Sequence, residues 1–331
     1  MMKKSRAALL LQLLIGVAIV VGVGWYIGAQ DLGKIFASMD LRYIILSSIA
    51  YLAMNLLFVI RLQHVLRALG YRLGFLRLLL VQYGGMLASD VTPARSGYFA
   101  VPVMLASEDV LIPVGLSSIL GIQSIEFFVK MFGGCLALLY LLSAVKLGRD
   151  VFILSVIGVA LMLAGGIVLA LAMWSRRAGR LITFFRTLPV IGRFFGFLAD
   201  KVAEFQTESQ KVKAVWLEIL ILTLVSWVVK ALEWYFIALA LGITQIPFVG
   251  YFFLHPLITA LSFVPLTPSG IGFQEGAAVG ALYLLGVGTS LGLAFALLAR
   301  VIVTVQDVIG VYALSKTGVK ILEAMSTMRK E

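Results

Sequence analysis

The sequence predicts an all-α polytopic membrane protein: about six transmembrane helices plus two re-entrant helical hairpins arranged as inverted repeats. Three observations carry this. First, 61% of the 331 residues are apolar and 13% are charged, against roughly 45–50% and about 25% in an ordinary soluble domain. Such a chain cannot cover itself with polar surface, so its solvent is lipid. Second, the apolar residues fall in runs of bilayer-spanning length, separated by short basic loops. Third, two of those runs are interrupted by proline, glycine and charge at matching places in the two halves of the chain.

A soluble enzyme, a disordered tail and a disulfide scaffold are thereby excluded, the last because Cys135 is the only cysteine. The net charge of +11 raises the question of nucleic acid. However, the basic residues sit at the ends of apolar runs, as Lys3, Lys4 and Arg6 do. That is the positive-inside pattern of a membrane protein, and no nucleic-acid partner is expected.

Ala7–Ile27 has no charge over 21 residues, enough to cross a ~30 Å hydrocarbon core, and reads as a retained span rather than a signal peptide. Asp31–Asp40 reads as a short loop and Leu41–Ile60 as the second span. Arg61–Arg77 carries four arginines and no acid, which marks a cytoplasmic loop. Leu78–Leu105 is apolar but broken at Asp90–Ser96, where proline stops the helix and arginine is costly at membrane depth. Two half-length helices entering and leaving on one side accommodate the break. Ile112–Ser143 and Val151–Trp174 are spans. The loop Ser175–Lys213 is basic and reads as cytoplasmic, either as an ordinary loop or, from its phenylalanines, as an amphipathic interfacial helix. Ala214–Leu241 is a span. Pro247–Leu285, at 39 residues with three internal prolines, is the second interrupted run, and Leu291–Leu314 is the last span.

The two breaks read alike. Val91-Thr92-Pro93-Ala94-Arg95-Ser96-Gly97-Tyr98 aligns with Leu266-Thr267-Pro268-Ser269-Gly270-Ile271-Gly272-Phe273 at an offset of 175 residues, with Thr, Pro and Gly identical. With the N-terminus inside and each hairpin returning to its own side, every basic loop and the tail fall in the cytoplasm. The first repeat is then residues 41–143 and the second 214–314, inside a single membrane domain spanning residues 1–331. The hairpins enter from opposite sides, as inverted repeats do in transporters with a midplane site.

No ATP-binding, zinc or serine-hydrolase motif is present, so no cofactor or metal is expected. What remains is a set of ionisable residues at membrane depth: Asp90, Arg95, Glu126, Lys130, Lys230, Glu233, Glu275, Arg300 and Asp307. Such groups are costly there and mark function by default. Glu126 with Lys130, and Lys230 with Glu233, are spaced to pair along one helix. Arg300 and Asp307 share a helix face, with Asp307 toward the cytoplasmic end. Arg95 and Glu275 follow the two Thr-Pro tips at corresponding places; they either hold an anionic headgroup or bind each other. Helix N-termini after Pro93 and Pro268 would add positive dipole ends. His255, beside Pro256 in the second interrupted run, reads either as a group that titrates near neutral pH or, the favoured reading, as a satisfied structural histidine.

Pro265-Leu266-Thr267-Pro268-Ser269-Gly270-Ile271-Gly272-Phe273-Gln274-Glu275-Gly276, followed by Gly286-Val287, resembles the second-half signature of the flippase-like, lysylphosphatidylglycerol synthase transmembrane family. Pro93, Arg95 and Gly97 resemble its first-half Pro-Gly-Arg-x-Gly-Glu motif, with Tyr98 in place of the glutamate. Glu126 and Arg300 match a glutamate and an arginine of the family's helices. The resemblance implies handling of lipids with bulky polar heads. The longest polar stretch, the 38 residues Arg176–Lys213, is too short for the aminoacyl-transferase domain some members carry, so lysyl transfer is not expected.

The reading is a non-enzymatic lipid flippase of the cell membrane, both termini cytoplasmic, moving a phospholipid or polyprenyl-phosphate-linked lipid. Its binding residues are Asp90, Thr92, Pro93, Arg95, Gly97, Glu126, Thr267, Pro268, Gly270, Gly272, Glu275 and Arg300. Its partners are membrane lipids, with a membrane enzyme as a further one. The alternatives are an intramembrane enzyme using Glu275 as base, and a membrane scaffold that transports nothing.

Overall fold

The structure, a computed structural model, describes residues 29–92, 95–144, 207–260 and 271–318, with scattered positions between 149 and 171. Every described element is helical: α1 (Ala29–Ala37), α2 (Leu41–Ala68), α3 (Phe75–Asp90), a 3₁₀ turn (Ser96–Ala100), α4 (Val101–Ala106), α5 (Ile112–Ala144), α6 (Trp216–Ala240), α7 (Phe248–Ala260), α8 (Phe273–Leu284) and α9 (Thr289–Asp307). With the turns that extend them, four helices reach membrane-spanning length: Leu41–Ala68, Ile112–Ser143, Thr207–Ala240 and Thr289–Gly318. At 1.5 Å per residue the 28 residues of α2 reach about 42 Å, more than a ~30 Å core requires. Of the other two expected spans, Ala7–Ile27 lies outside the described residues. Val151–Trp174 is described only at scattered helical positions. Most of the Ser175–Lys213 loop is also outside them.

Two expectations are corrected. Asp31–Asp40 is not a loop: α1 occupies most of it, because Leu32, Ile35 and Phe36 fall on one face and pack into the core. Asp40 then starts α2, its carboxylate accepting the Arg42 N–H at 2.9 Å. Nor does α2 stop at Ile60. No breaker occurs before Gly70, so the helix carries Arg61 inside the bundle, 2% exposed, instead of into a cytoplasmic loop.

The first interrupted run folds back on itself. α3 ends at Asp90, the chain turns, and the 3₁₀ turn and α4 pack against α3. Gly97 allows this approach: a Cβ there would stand 2.0 Å from the Ala88 carbonyl oxygen. The two ends of the unit come together as well, since Arg77 near the start of α3 lies 3.5 Å from Glu108 just past α4. Glu108 also pairs with Lys316 at the end of the α9 extension. The second interrupted run supplies α7 and α8; the linking segment 261–270, with Thr267, Pro268 and Gly270, lies outside the described residues, as does Pro93.

Two apolar cores result. One gathers the C-terminal half of α2 with α3, α4 and the first half of α5. The other gathers the N-terminal half of α2 with the end of α6 and with α7, α8 and α9. The ends of the two interrupted runs therefore lie toward opposite ends of α2: Leu78, Leu105 and Val110 beside Leu66 and Leu69, and Ile246 and Leu285 in the core shared with Met39 and Ile44.

Candidate functional site

Between the two cores lies a cavity of about 450 Å³, lined from α2, α3, the turn after it, α5, α6, α7, α8 and α9. Its apolar wall includes Phe127, Trp227 and Trp234. Proline shapes that wall. Pro256 inside α7 cannot donate to the Phe252 carbonyl one turn earlier. The indole N–H of Trp227 takes that carbonyl instead, at 2.8 Å, and the Trp227 ring stacks on Phe252 with centroids 4.5 Å apart.

The polar wall holds five cations, Arg61, Arg95, Lys130, Lys230 and Arg300, and three acids, Asp90, Glu126 and Glu275. Arg61 donates to Thr223 Oγ1 at 2.7 Å and to Glu126 Oε2 at 3.1 Å, with the Phe58 ring 4.6 Å beneath it. Glu126 is also 2.7 Å from Lys130, so one carboxylate from α5 serves two cations. Lys230 is held by Glu233 at 2.7–2.8 Å, as the spacing predicts, and Glu233 is fully buried behind it.

Arg95 and Glu275 do not bind each other. Glu275 accepts Arg300 Nε–H through Oε1 at 2.6 Å and the Gly272 N–H through Oε2 at 2.7 Å. Gly272 has φ +87, a conformation that favours glycine, and α8 starts directly after it. The start of α8 thus lies at Phe273, not just past Pro268, and its positive end is already answered by Glu275. Nor does an α-helix begin after Pro93: the chain continues in the 3₁₀ turn from Ser96.

Arg95 sits in the left-handed region at φ 55, unusual for a non-glycine residue. Its Nη2 is 3.5 Å from Asp90 Oδ1, the longest ion pair among the five lining cations. Strained backbone of this kind persists where surrounding structure holds it and concentrates at ligand sites.

Of the expected binding residues, Asp90, Arg95, Glu126, Glu275 and Arg300 meet in this cavity. Thr92, Gly97 and Gly272 stand outside its wall and shape the turns: Thr92 Oγ1 accepts the Gly97 N–H at 2.6 Å and donates to the Ala88 carbonyl at 2.9 Å. His255 lines the cavity, its Nε2 3.0 Å from Thr259 Oγ1. Asp307 is fully buried and hydrogen-bonded to the Tyr51 hydroxyl at 2.8 Å. Sequence reasoning missed Arg61, Thr223 and Tyr51. The signal for Arg61 was the absence of any helix stop before Gly70.

The sequence pattern of the lysylphosphatidylglycerol synthase TM region matches residues 13–310. The chain belongs to the lysylphosphatidylglycerol synthase TM-region family. Within that family it is similar to a UPF0104 membrane protein of Pyrococcus horikoshii, 22% identical over 312 residues that cover 88% of this chain and 92% of the relative. The family match embraces every residue of the cavity wall. It accords with the outer faces of the helices, where Ile45, Ile49 and Leu52 of α2 and Leu217, Ile221 and Leu224 of α6 are exposed. The chain is thus a membrane protein of this TM-region family, built as a helical bundle with a charged interior, and the family is consistent with a lipid-related role.

Proposed function

We propose that the cavity binds the headgroup of an anionic lipid and that the protein moves that lipid between the leaflets of the cell membrane. The observation that carries this reading is the excess of cations on the cavity wall, with Arg95 as the cation whose ion pair is longest. A guanidinium offers a planar fork that matches two phosphate oxygens. The aromatic wall lies against the glycerol or first acyl carbons while the tails stay in lipid. Moving a charged group across the bare core costs several kcal/mol or more, and a charge-complementary groove lowers that barrier.

In this reading Phe75–Ala106 and Phe248–Leu284 are re-entrant hairpins entering from opposite leaflets, within inverted repeats of residues 41–143 and 214–314. The pairing of Glu108 with both Arg77 and Lys316 supports placing the mouth of the first hairpin and the C-terminal end on one face, which the basic loops make cytoplasmic. In this reading the protein acts without catalysis, and Glu275 serves to hold Arg300 and the Gly272 N–H in place.

The test is translocation in proteoliposomes, read by dithionite quenching of fluorescent phosphatidylglycerol and, separately, phosphatidylcholine. Protein-dependent movement of phosphatidylglycerol is expected to exceed that of phosphatidylcholine. Arg95→Ala is expected to slow it about tenfold or more, the loss of one charge-assisted hydrogen-bonded contact of roughly 1.5–3 kcal/mol. Equal rates for the two lipids, or an unchanged Arg95→Ala rate, would reject the reading.

A further inference from the structure

One buried carboxylate is left over once the cavity's ion pairs are assigned. Asp307 is fully buried at the end of α9. Its Oδ1 accepts the Tyr51 hydroxyl at 2.8 Å, and its Oδ2 has no donor among the described residues. The Asp90 carboxyl lies within hydrogen-bonding reach of it. Asp90 in turn lines the cavity, with Oδ1 3.5 Å from Arg95. The chain therefore places two carboxyl groups in contact, one sealed in the interior and one facing the proposed headgroup site.

The groups around the two acids come from every element packed on them. α2 supplies Tyr51, α3 supplies Tyr83 and Asp90, and the following turn supplies Arg95. α6 brings Lys230 to 5.0 Å from the Tyr51 ring, but Glu233 holds that ammonium. On α9 itself Arg300 belongs to Glu275. Arg95 is thus the cation closest to serving the two acids, and it does so loosely. Two ionised carboxylates in contact away from water repel, and proteins that hold such pairs keep one proton between them. A metal ion fits less well. The site offers two carboxylates and a hydroxyl whose proton points at Asp307, and no group of three or more metal-binding side chains occurs among the described residues.

The charge balance gives the pair a consequence. Five cations line the cavity; the three lining acids with buried Glu233 and Asp307 make five anions. Counted with these two acids behind the wall, the fully ionised site is neutral, while the wall alone carries two more cations than acids. With one proton on the pair the site carries one surplus positive charge.

We infer that Asp90 and Asp307 form a proton-binding dyad, and that holding its shared proton is coupled to holding an anionic headgroup at Arg95. The coupling rests on the anionic-lipid reading above, whereas the dyad does not. The step is a protonation: one proton from water joins the carboxylate pair, and no other bond forms or breaks. While the proton is present, Asp90 pulls weakly on Arg95 and the guanidinium turns to the phosphate. When it leaves, Asp90 recaptures Arg95 and repels the phosphate. Proton and anion therefore bind together, each raising the affinity of the other by the same factor.

The experiment uses the purified full chain, with dihexanoyl phosphatidylglycerol as probe because its phosphate stays ionised around neutral pH. Calorimetric affinity is measured across pH, and infrared spectra of the same samples report protonated carboxyl groups. Wild-type affinity is expected to fall by up to about tenfold per pH unit as pH rises through the dyad's titration. A carboxylic-acid band is expected to vanish over the same range. Asp307→Asn, whose amide donates to Asp90 and keeps the pair at one negative charge, is expected to lose the band and to bind with pH-independent affinity.

A pH-independent wild-type affinity would overturn the coupling, and so would an unaltered slope in Asp307→Asn. Binding that follows sodium rather than pH, tested by replacement with choline, would overturn the dyad in favour of a metal cation. If Asp307→Asn does not fold, the wild-type band and slope decide. A wild-type band without phosphatidylglycerol binding at any pH would uphold the dyad and reject the lipid reading. Binding without a band would reject the dyad alone.

Discussion

At the scale of single residues, the interior is organised by charges that belong to more than one helix. Arg61 of α2 is the clearest case, bridging Thr223 of α6 and Glu126 of α5 while 2% exposed. Removing one partner of a buried pair costs more than the pair contributes, because the charge left behind has lost water without compensation. Arg61→Ala is therefore expected to destabilise the protein by about 3–5 kcal/mol. Arg61→Lys should recover part of this, since an ammonium lacks the fork that reaches two acceptors at once. Thermal unfolding in detergent checks both, and a melting temperature for Arg61→Ala equal to wild type would contradict the bridging role. Most of the ionisable residues of the cavity wall were legible in the sequence, because an acid or base inside an apolar run stands out, but Arg61 was read as the start of a loop. Their partners were less so. Glu126–Lys130 and Lys230–Glu233 follow from helix spacing, but Glu275–Arg300 joins α8 to α9 and Arg61–Glu126 joins α2 to α5. Contacts of that kind depend on how helices are turned against each other, which no local pattern records.

At the scale of elements, the break after α3 was legible and its construction was not. Proline, glycine and two charges within a few residues announce that a helix ends between Asp90 and Ser96, and α3 ends at Asp90. The chemistry of the turn lies instead in Thr92, whose hydroxyl accepts from Gly97 and donates to Ala88. Thr92→Val keeps the shape and deletes both bonds, leaving the Gly97 N–H without this acceptor. A cost of about 1–3 kcal/mol is expected. Gly97→Ala should cost more, because the added methyl would meet a backbone carbonyl at 2.0 Å and neither strand of the turn can yield independently. Limited proteolysis and unfolding in detergent rank the two variants, and Gly97→Ala no worse than Thr92→Val would show that the arms can separate freely. α1 was misjudged for a physical reason too. Asp31 and Lys34 make the segment look like a polar loop, while three apolar residues at helical spacing decide its structure by burial.

For the whole molecule, the distribution of polarity is the reverse of that in a soluble protein. Leu41, Val305 and Tyr312 are more than 60% exposed, while Arg61, Glu233 and Asp307 are at most 2% exposed. Such an arrangement is stable only if the outside is dry and the cavity is wet or filled by a polar group. The protein's single cysteine distinguishes the two environments. Cys135 is exposed on α5, near the similarly exposed Phe132 and Leu139, on an apolar face suited to lipid. Gln123, three turns earlier on the same helix, lines the cavity. In proteoliposomes Cys135 is expected to resist water-soluble thiosulfonates until the protein is unfolded in dodecyl sulfate. With Cys135→Ser as background, Gln123→Cys should react in the folded protein. Its ratio of anionic to cationic reagent rates should exceed that of Gln245→Cys, an exposed loop position, because a cavity whose wall carries more cations than acids concentrates anions. Rapid labelling of native Cys135 would place that face of α5 in water. A rate ratio at Gln123→Cys no higher than at Gln245→Cys would mean that the lining acids cancel the lining bases, and the case for an anionic headgroup would fall with it.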